Sequence, residues 1–98
     1  KTYYPKHIVK ILYATMADKE YFDIIHTLEP IADEMYFTQF DYPRCEDAET
    51  LYEISSHKHK HLAPDALAAL KTLRQLGSNE LLLITGSLYF VSYIRKEL

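Results

Sequence analysis

Leu81-Leu82-Leu83-Ile84-Thr85-Gly86-Ser87-Leu88-Tyr89 is the stretch that most narrows the folds open to this chain. A short apolar run ends in Gly-Ser and then restarts with helical spacing. Such a run reads as a strand buried on both faces, which a parallel sheet covered by helices requires. Gly86 can take a sharp turn without a Cβ penalty, and Ser87 can cap the helix that follows. The turn leaves backbone N–H groups at the carboxyl edge of the sheet, where α/β proteins bind anions. Taken alone, a strand-Gly-Ser-helix turn implies no more than a capped helix start.

The rest of the chain repeats this alternation. Ile8 to Ala14 is rich in β-formers and reads as a strand. Asp18 is a good N-cap for a helix carrying Phe22, Ile25 and Leu28, with Pro30 as its stop. Met35 to Phe40 reads as a second strand and Asp41 to Arg44 as a turn. Asp47 leads a helix with Ala48, Leu51 and Ile54 on one face. His57 to Leu62 fits either a loop or a short edge strand. A helix from about Pro64 buries Ala66, Leu67, Leu70 and Leu73, with Gly77 as its C-terminal cap. The Leu81 strand and a helix from Ser87 to about Glu97 complete four strand-helix units. The pattern predicts a three-layer α/β/α domain spanning 1–98, Rossmann-like, with a mainly parallel four-stranded sheet. Right-handed crossovers put the loops at Met16–Lys19, Asp41–Arg44 and Thr85–Ser87 on one sheet edge.

Composition excludes several classes. The formal net charge is -3, so no basic face invites nucleic acid. No apolar run approaches the roughly 20 residues that span a membrane. A hydrophobic content of 48% is that of a chain with a core. The single cysteine, Cys45, has no internal disulfide partner, which fits a cytoplasmic setting. Lys1-Thr2-Tyr3-Tyr4 opens without an initiator methionine, so the chain reads as a fragment or a processed product.

Candidate chemistry is sparse. Only Gly77 and Gly86 are present, too few for a Walker loop or a dinucleotide fingerprint. His57-Lys58-His59-Lys60-His61 places alternate histidines together, but its lysines oppose a cation, so a solvated loop or edge strand is expected and no metal site. Cys45 at a turn before a helix suits a space-filling residue better than a nucleophile, for which no histidine can be assigned. Asp18, Lys19, Asp41 and Arg44 are each ordinary turn residues. Gathered at one sheet edge, their charges of both signs suggest a ligand crevice.

Three strings come in matching order and spacing: Ala17-Asp18-Lys19, Phe40-Asp41-Tyr42-Pro43-Arg44, and Ile84-Thr85-Gly86-Ser87-Leu88-Tyr89-Phe90-Val91. Together they closely resemble the C-terminal domain of folylpolyglutamate synthase and dihydrofolate synthase, of the Mur ligase superfamily. The resemblance runs from about Ile8 to Leu98. It implies part of an ATP- and Mg²⁺-dependent ligase that joins L-glutamate to a folate or dihydropteroate carboxylate through an acyl phosphate. It implies a strand order of fourth, first, second, third. Ser87, Gly86 and Thr85, followed by Asp18 and Lys19, then fall nearest nucleotide and substrate, with Asp41 and Arg44 in a second tier. The family's Asp-Gly-Ala-His-Asn-Pro motif and its N-terminal P-loop domain are absent. The chain therefore resembles a partial C-terminal domain, inactive and cofactor-free alone, whose P-loop partner lies elsewhere in the parent. Without the motif strand, Leu81 to Thr85 becomes an open edge, and self-association through it, or its cover by Lys1 to His7, is expected. A stand-alone doubly wound binding module and a cell-wall Mur-type ligase are the alternative readings.

Overall fold

The computed structural model describes residues 8–18, 20–75, 77 and 79–96 of the 98. Strands β1 (Ile8–Ala14), β2 (Glu34–Phe37), β3 (Lys60–Leu62) and β4 (Glu80–Gly86) alternate with helices α1 (Tyr21–Leu28), α2 (Ala48–Ile54), α3 (Ala66–Leu73) and α4 (Leu88–Arg95). All three pairings are parallel, and the sheet order is β3-β2-β1-β4.

The period of two along β1 divides the core. Val9, Ile11 and Tyr13 face α1 and α2, joined by Ile25, Met35, Phe37 and Leu51. Leu12 and Ala14 face α3 and α4, joined by Leu70, Leu73, Phe90 and Ile94. The chain moves outward through β1, β2 and β3 with two helices on one face. It then returns past β1 to β4 with the other two helices on the opposite face, as right-handed crossovers in opposite directions demand. The reversal falls between β1 and β4. That is the switch point where open α/β sheets place ligands.

Several expectations change, among them Leu67, which is exposed rather than part of the buried α3 stripe. The Leu81 run is not buried on both faces. It lies at the sheet edge beside β1, its one described neighbour, as the strand order implied by the resemblance requires, and Leu83 is 42% exposed. The doubly buried strand is β1, where Ile11, Leu12, Tyr13 and Ala14 are all fully buried. The first helix begins at Tyr21, not at Asp18, whose carboxylate pairs with Arg44 instead of capping a helix. Its buried stripe is Tyr21, Ile25 and Leu28, which leaves Phe22 in solvent. Gly77 does not cap α3, which ends at Leu73 with right-handed Arg74 as its C-cap. Glu97 lies outside the described residues.

Caps set the other helix starts. Asp65 accepts from the N–H groups of Leu67 and Ala68, so α3 begins just after Pro64. Asp47 makes no side-chain cap; Gln39 Oε1 accepts from Ala48 N at 2.8 Å instead.

Candidate functional site

The end of β4 is fixed by steric exclusion. Gly86 has φ 131°, and a Cβ there would stand 1.9 Å from the Ala14 carbonyl oxygen. Only glycine permits this approach, which brings Ser87 N to 3.1 Å from the same oxygen. The Ser87 hydroxyl turns inward and accepts from Tyr89 N at 3.0 Å, so the residue is 6% exposed and acts as the α4 N-cap. Leu88, by contrast, is 83% exposed. The first turn of α4 thus presents an apolar side chain to solvent at the switch point.

A second loop is clipped against this edge. Ala17 N donates to Arg44 O at 2.7 Å, Glu46 N donates to Thr15 O at 2.9 Å, and Met16 bridges Cys45. Tyr42-Pro43-Arg44-Cys45 closes as a turn through Cys45 N to Tyr42 O at 3.1 Å. Arg44 adopts φ 65°, a left-handed conformation that costs a non-glycine residue about 1 kcal/mol or more. Its guanidinium meets Asp18 Oδ2 at 3.1 Å, with 69% and 54% of the two side chains exposed. Tyr42 stacks on Tyr89 at 4.8 Å between centroids, and Phe40 rests against Phe90 at 5.3 Å and Tyr93 at 5.4 Å. These rings seat the loop on α4.

An open cleft of about 600 Å³ lies beside this loop, at the start of α3. Phe40, Asp41, Tyr42, Asp65 and Tyr93 are among its walls, and Thr85, Gly86 and Ser87 are not. Several of its polar groups already serve the fold. Asp65 caps α3, Gln39 caps α2, and Glu46 accepts from the Tyr21 hydroxyl at 2.5 Å.

A curated relative, dihydrofolate synthase/folylpolyglutamate synthase of Bacillus subtilis (strain 168), is 41% identical over 91 residues, which is 92% of this chain. This chain is homologous to the C-terminal domain of folylpolyglutamate synthase/dihydrofolate synthase. It spans about a fifth of that relative's length, 21%. Solved bifunctional folylpolyglutamate synthase/dihydrofolate synthases have the same fold. One from Yersinia pestis, complexed with AMPPNP and manganese, matches 93% of this chain and 22% of its own at TM-score 0.81 and 18% identity. A second Yersinia pestis structure matches at TM-score 0.82 and 18% identity over 95% of this chain and 23% of its own. Another, with manganese, AMPPNP and L-glutamate bound, matches at TM-score 0.74 and 17% identity over 93% of this chain and 22% of its own. No family model matches the chain.

The structure brings Asp18 and Arg44 together in loops beside the switch point. Thr85 is half-buried on β4, Gly86 is the close approach, and Ser87 is the cap. Asp41 lines the neighbouring cleft, and Lys19 lies outside the described residues. The Tyr42–Tyr89 stack was not legible from residue types, although Tyr42 sits within the string that carried the resemblance. Cys45 is a packing residue. Its sulfur accepts from Phe40 N at 3.4 Å and contacts the α3/α4 core, and burial pushes its thiol up, the wrong direction for a nucleophile. The histidine run forms the edge. His57 Nε2 bonds Ala32 O at 2.8 Å, and His61 meets Glu34 at 3.0 Å while stacking on Tyr36. Among the described residues, no group of three or more His, Cys, Asp or Glu is placed to hold a metal ion. Among them, too, no helix is long and apolar enough to cross a membrane.

Proposed function

We propose that this chain is part of an ATP-dependent ligase that adds L-glutamate to a folate or dihydropteroate carboxylate through an acyl phosphate. Its carboxyl edge forms one wall of the crevice for ATP and glutamate, and a P-loop domain of the same parent supplies the other. The observation that carries this is the 41% identity over 91 residues to the Bacillus subtilis enzyme. The switch-point geometry supports it: Gly86 is sterically required, and the loops bearing Asp18 and Arg44 are clipped beside it. Ser87, Gly86 and Thr85 lie nearest the ligands in this reading, with Asp18 and Lys19 next and Asp41 and Arg44 at the rim. Divalent-metal chemistry, with Mg²⁺ as the ion, belongs in this reading to the P-loop domain of the parent. The setting is cytoplasmic.

The test is a chimera in which this chain replaces the matching stretch of the Bacillus subtilis relative. The expected result is ATP-dependent ligation of glutamate to a folate or dihydropteroate. A folded chimera that binds ATP but ligates neither acceptor overturns the reading. Turnover only of a nucleotide-linked cell-wall precursor would move the chain to that branch of the ligases. The chain by itself, lacking a phosphate-cradling loop, is expected to bind ATP more weakly than micromolar by calorimetry and to hydrolyse none.

Among the described residues, the isolated chain has an open sheet edge. The outer side of β4 carries no described strand, and Leu81 to Thr85 holds neither charge nor proline. Such edges recruit another strand, so a second copy pairs there. Cover by Lys1 to His7 lies outside the described residues.

A further inference from the structure

The turn that carries Arg44 is built against its residue's backbone preference. Pro43 suits the second position of the turn, and the third takes φ 65°. Glycine or asparagine ordinarily fills such a position. Arginine gains no packing there. Its side chain is 69% exposed and outside both core clusters, and its ion-pair partner Asp18 is also exposed. Exposed pairs of this kind add little stability. The fold alone therefore gives no reason for arginine at this position.

The base under that side chain is rigid. The Arg44 carbonyl is held by Ala17 N at 2.7 Å, and its neighbours are fixed by the Met16–Cys45 bridge and the Glu46-to-Thr15 hydrogen bond. Tyr42 ties the same turn to α4 by its stack on Tyr89. A guanidinium on a fixed turn beside the switch point, opposed by one solvated carboxylate, is prepared to exchange that carboxylate for another oxyanion. Its planar fork matches carboxylate and phosphate alike.

We propose that Arg44 is a ligand-binding residue that releases Asp18 and takes an oxyanion of the ligand, with Asp18 as its resting partner. The shared chemistry is a two-oxygen acceptor: a carboxylate of the amino acid or phosphoryl oxygens of the nucleotide. The identity of the ligand rests on the ligase reading above; the need for an anion does not.

The experiment uses R44G, R44K and D18N in the chimera and in the chain itself. Glycine suits φ 65°, so R44G is expected to melt at the same temperature as the parent chain or higher. In the active chimera, R44G raises KM by roughly 10- to 100-fold for one substrate, the loss of a charge-assisted pair. A rise for L-glutamate identifies the carboxylate, and a rise for ATP identifies the phosphate. R44K recovers part of the loss, because it keeps the charge without the fork. D18N is read on the chain itself, where removing the competitor is expected to strengthen the shift of the Arg44 Nε–H signal with sodium phosphate or L-glutamate. Unchanged KM values for both substrates in a folded R44G chimera overturn the proposal, as does a D18N chain whose Arg44 signal responds less than that of the unaltered chain. Should the unaltered chimera fold and not ligate, the ligase reading falls, and nuclear magnetic resonance on the chain decides Arg44. A saturable shift of the Arg44 Nε–H signal with sodium phosphate or L-glutamate sustains the proposal, and its absence with both overturns it.

Discussion

At Gly86 the backbone approaches Ala14 so closely that even a methyl group has no place, because a Cβ would overlap a carbonyl oxygen held in the sheet. G86A combines that clash with a disfavoured φ and is expected to cost about 2–4 kcal/mol, read as a lower denaturant midpoint at constant slope. Ser87 is a different case. Its hydroxyl is spent on Tyr89 N, so S87A is expected to cost about 1 kcal/mol in stability. In the chimera its activity should fall further than that loss explains, and parallel losses would leave Ser87 as a cap alone. Tyr13 is fully buried, and although Thr15 is a polar neighbour, its hydroxyl has no hydrogen-bond partner. Y13F is therefore expected to leave stability unchanged or raise it by up to about 1 kcal/mol. Burial pushes the Tyr13 hydroxyl up to about 12, from an ordinary value of 10.0. The folded chain keeps this proton where the unfolded chain loses it. The contribution to stability is full below pH 10 and is lost as pH rises through 12. Y13F should flatten that part of the alkaline unfolding curve.

The starts of α2, α3 and α4 are each capped by a single side chain, and helices of seven or eight residues are marginal alone. Asp65 satisfies two N–H groups at the head of α3, and the helix brings Ala66, Leu70 and Leu73 to the core. D65A is expected to cost about 1 kcal/mol by chemical denaturation, with no effect on the α1/α2 side of the sheet in amide exchange. Asp18, which reads as an equally good cap in sequence, caps nothing. Its carboxylate is taken by Arg44 from the β2–α2 loop, and the helix starts only at Tyr21. A tertiary clip overrides a local signal there. The cap of α2 shows the reverse: Asp47 stands at the right position, but Gln39 from the preceding loop makes the bond.

For the whole molecule, the edge position of β4 is the feature with consequences for the isolated chain. Its faces differ. Leu82 and Ile84 pack against the α3/α4 core, whereas Leu83, on the other face, is 42% exposed. A charge at Leu82 would disrupt the core, so Leu83 is the informative position. L83K is expected to keep the fold and to shift the chain from dimer to monomer in light scattering at high concentration. A wild-type chain that stays monomeric while its Leu81 to Thr85 amides exchange freely would refute strand pairing.

The sequence by itself determined the alternation of four strands and four helices, the parallel sheet, the need for glycine at Gly86 and the cap at Ser87. These depend on local periodicity and on the steric demands of one turn, which neighbouring residues encode. The three strings that carried the resemblance also led to the strand order. Tertiary structure decided how deeply each apolar run is buried, with β1 rather than the Leu81 run covered on both faces, although the strand order implied by the strings had already put β4 at the edge. Leu81 to Ile84 is the more hydrophobic run, but hydrophobicity states a preference for burial and not a position in a sheet; the crossover connections placed β1 in the middle and β4 at the rim. It alone also paired Arg44 with Asp18 across 26 residues and stacked Tyr42 on Tyr89. Contacts that long-range have no periodic trace in the chain, because they arise where loops from separate strands arrive at one sheet edge.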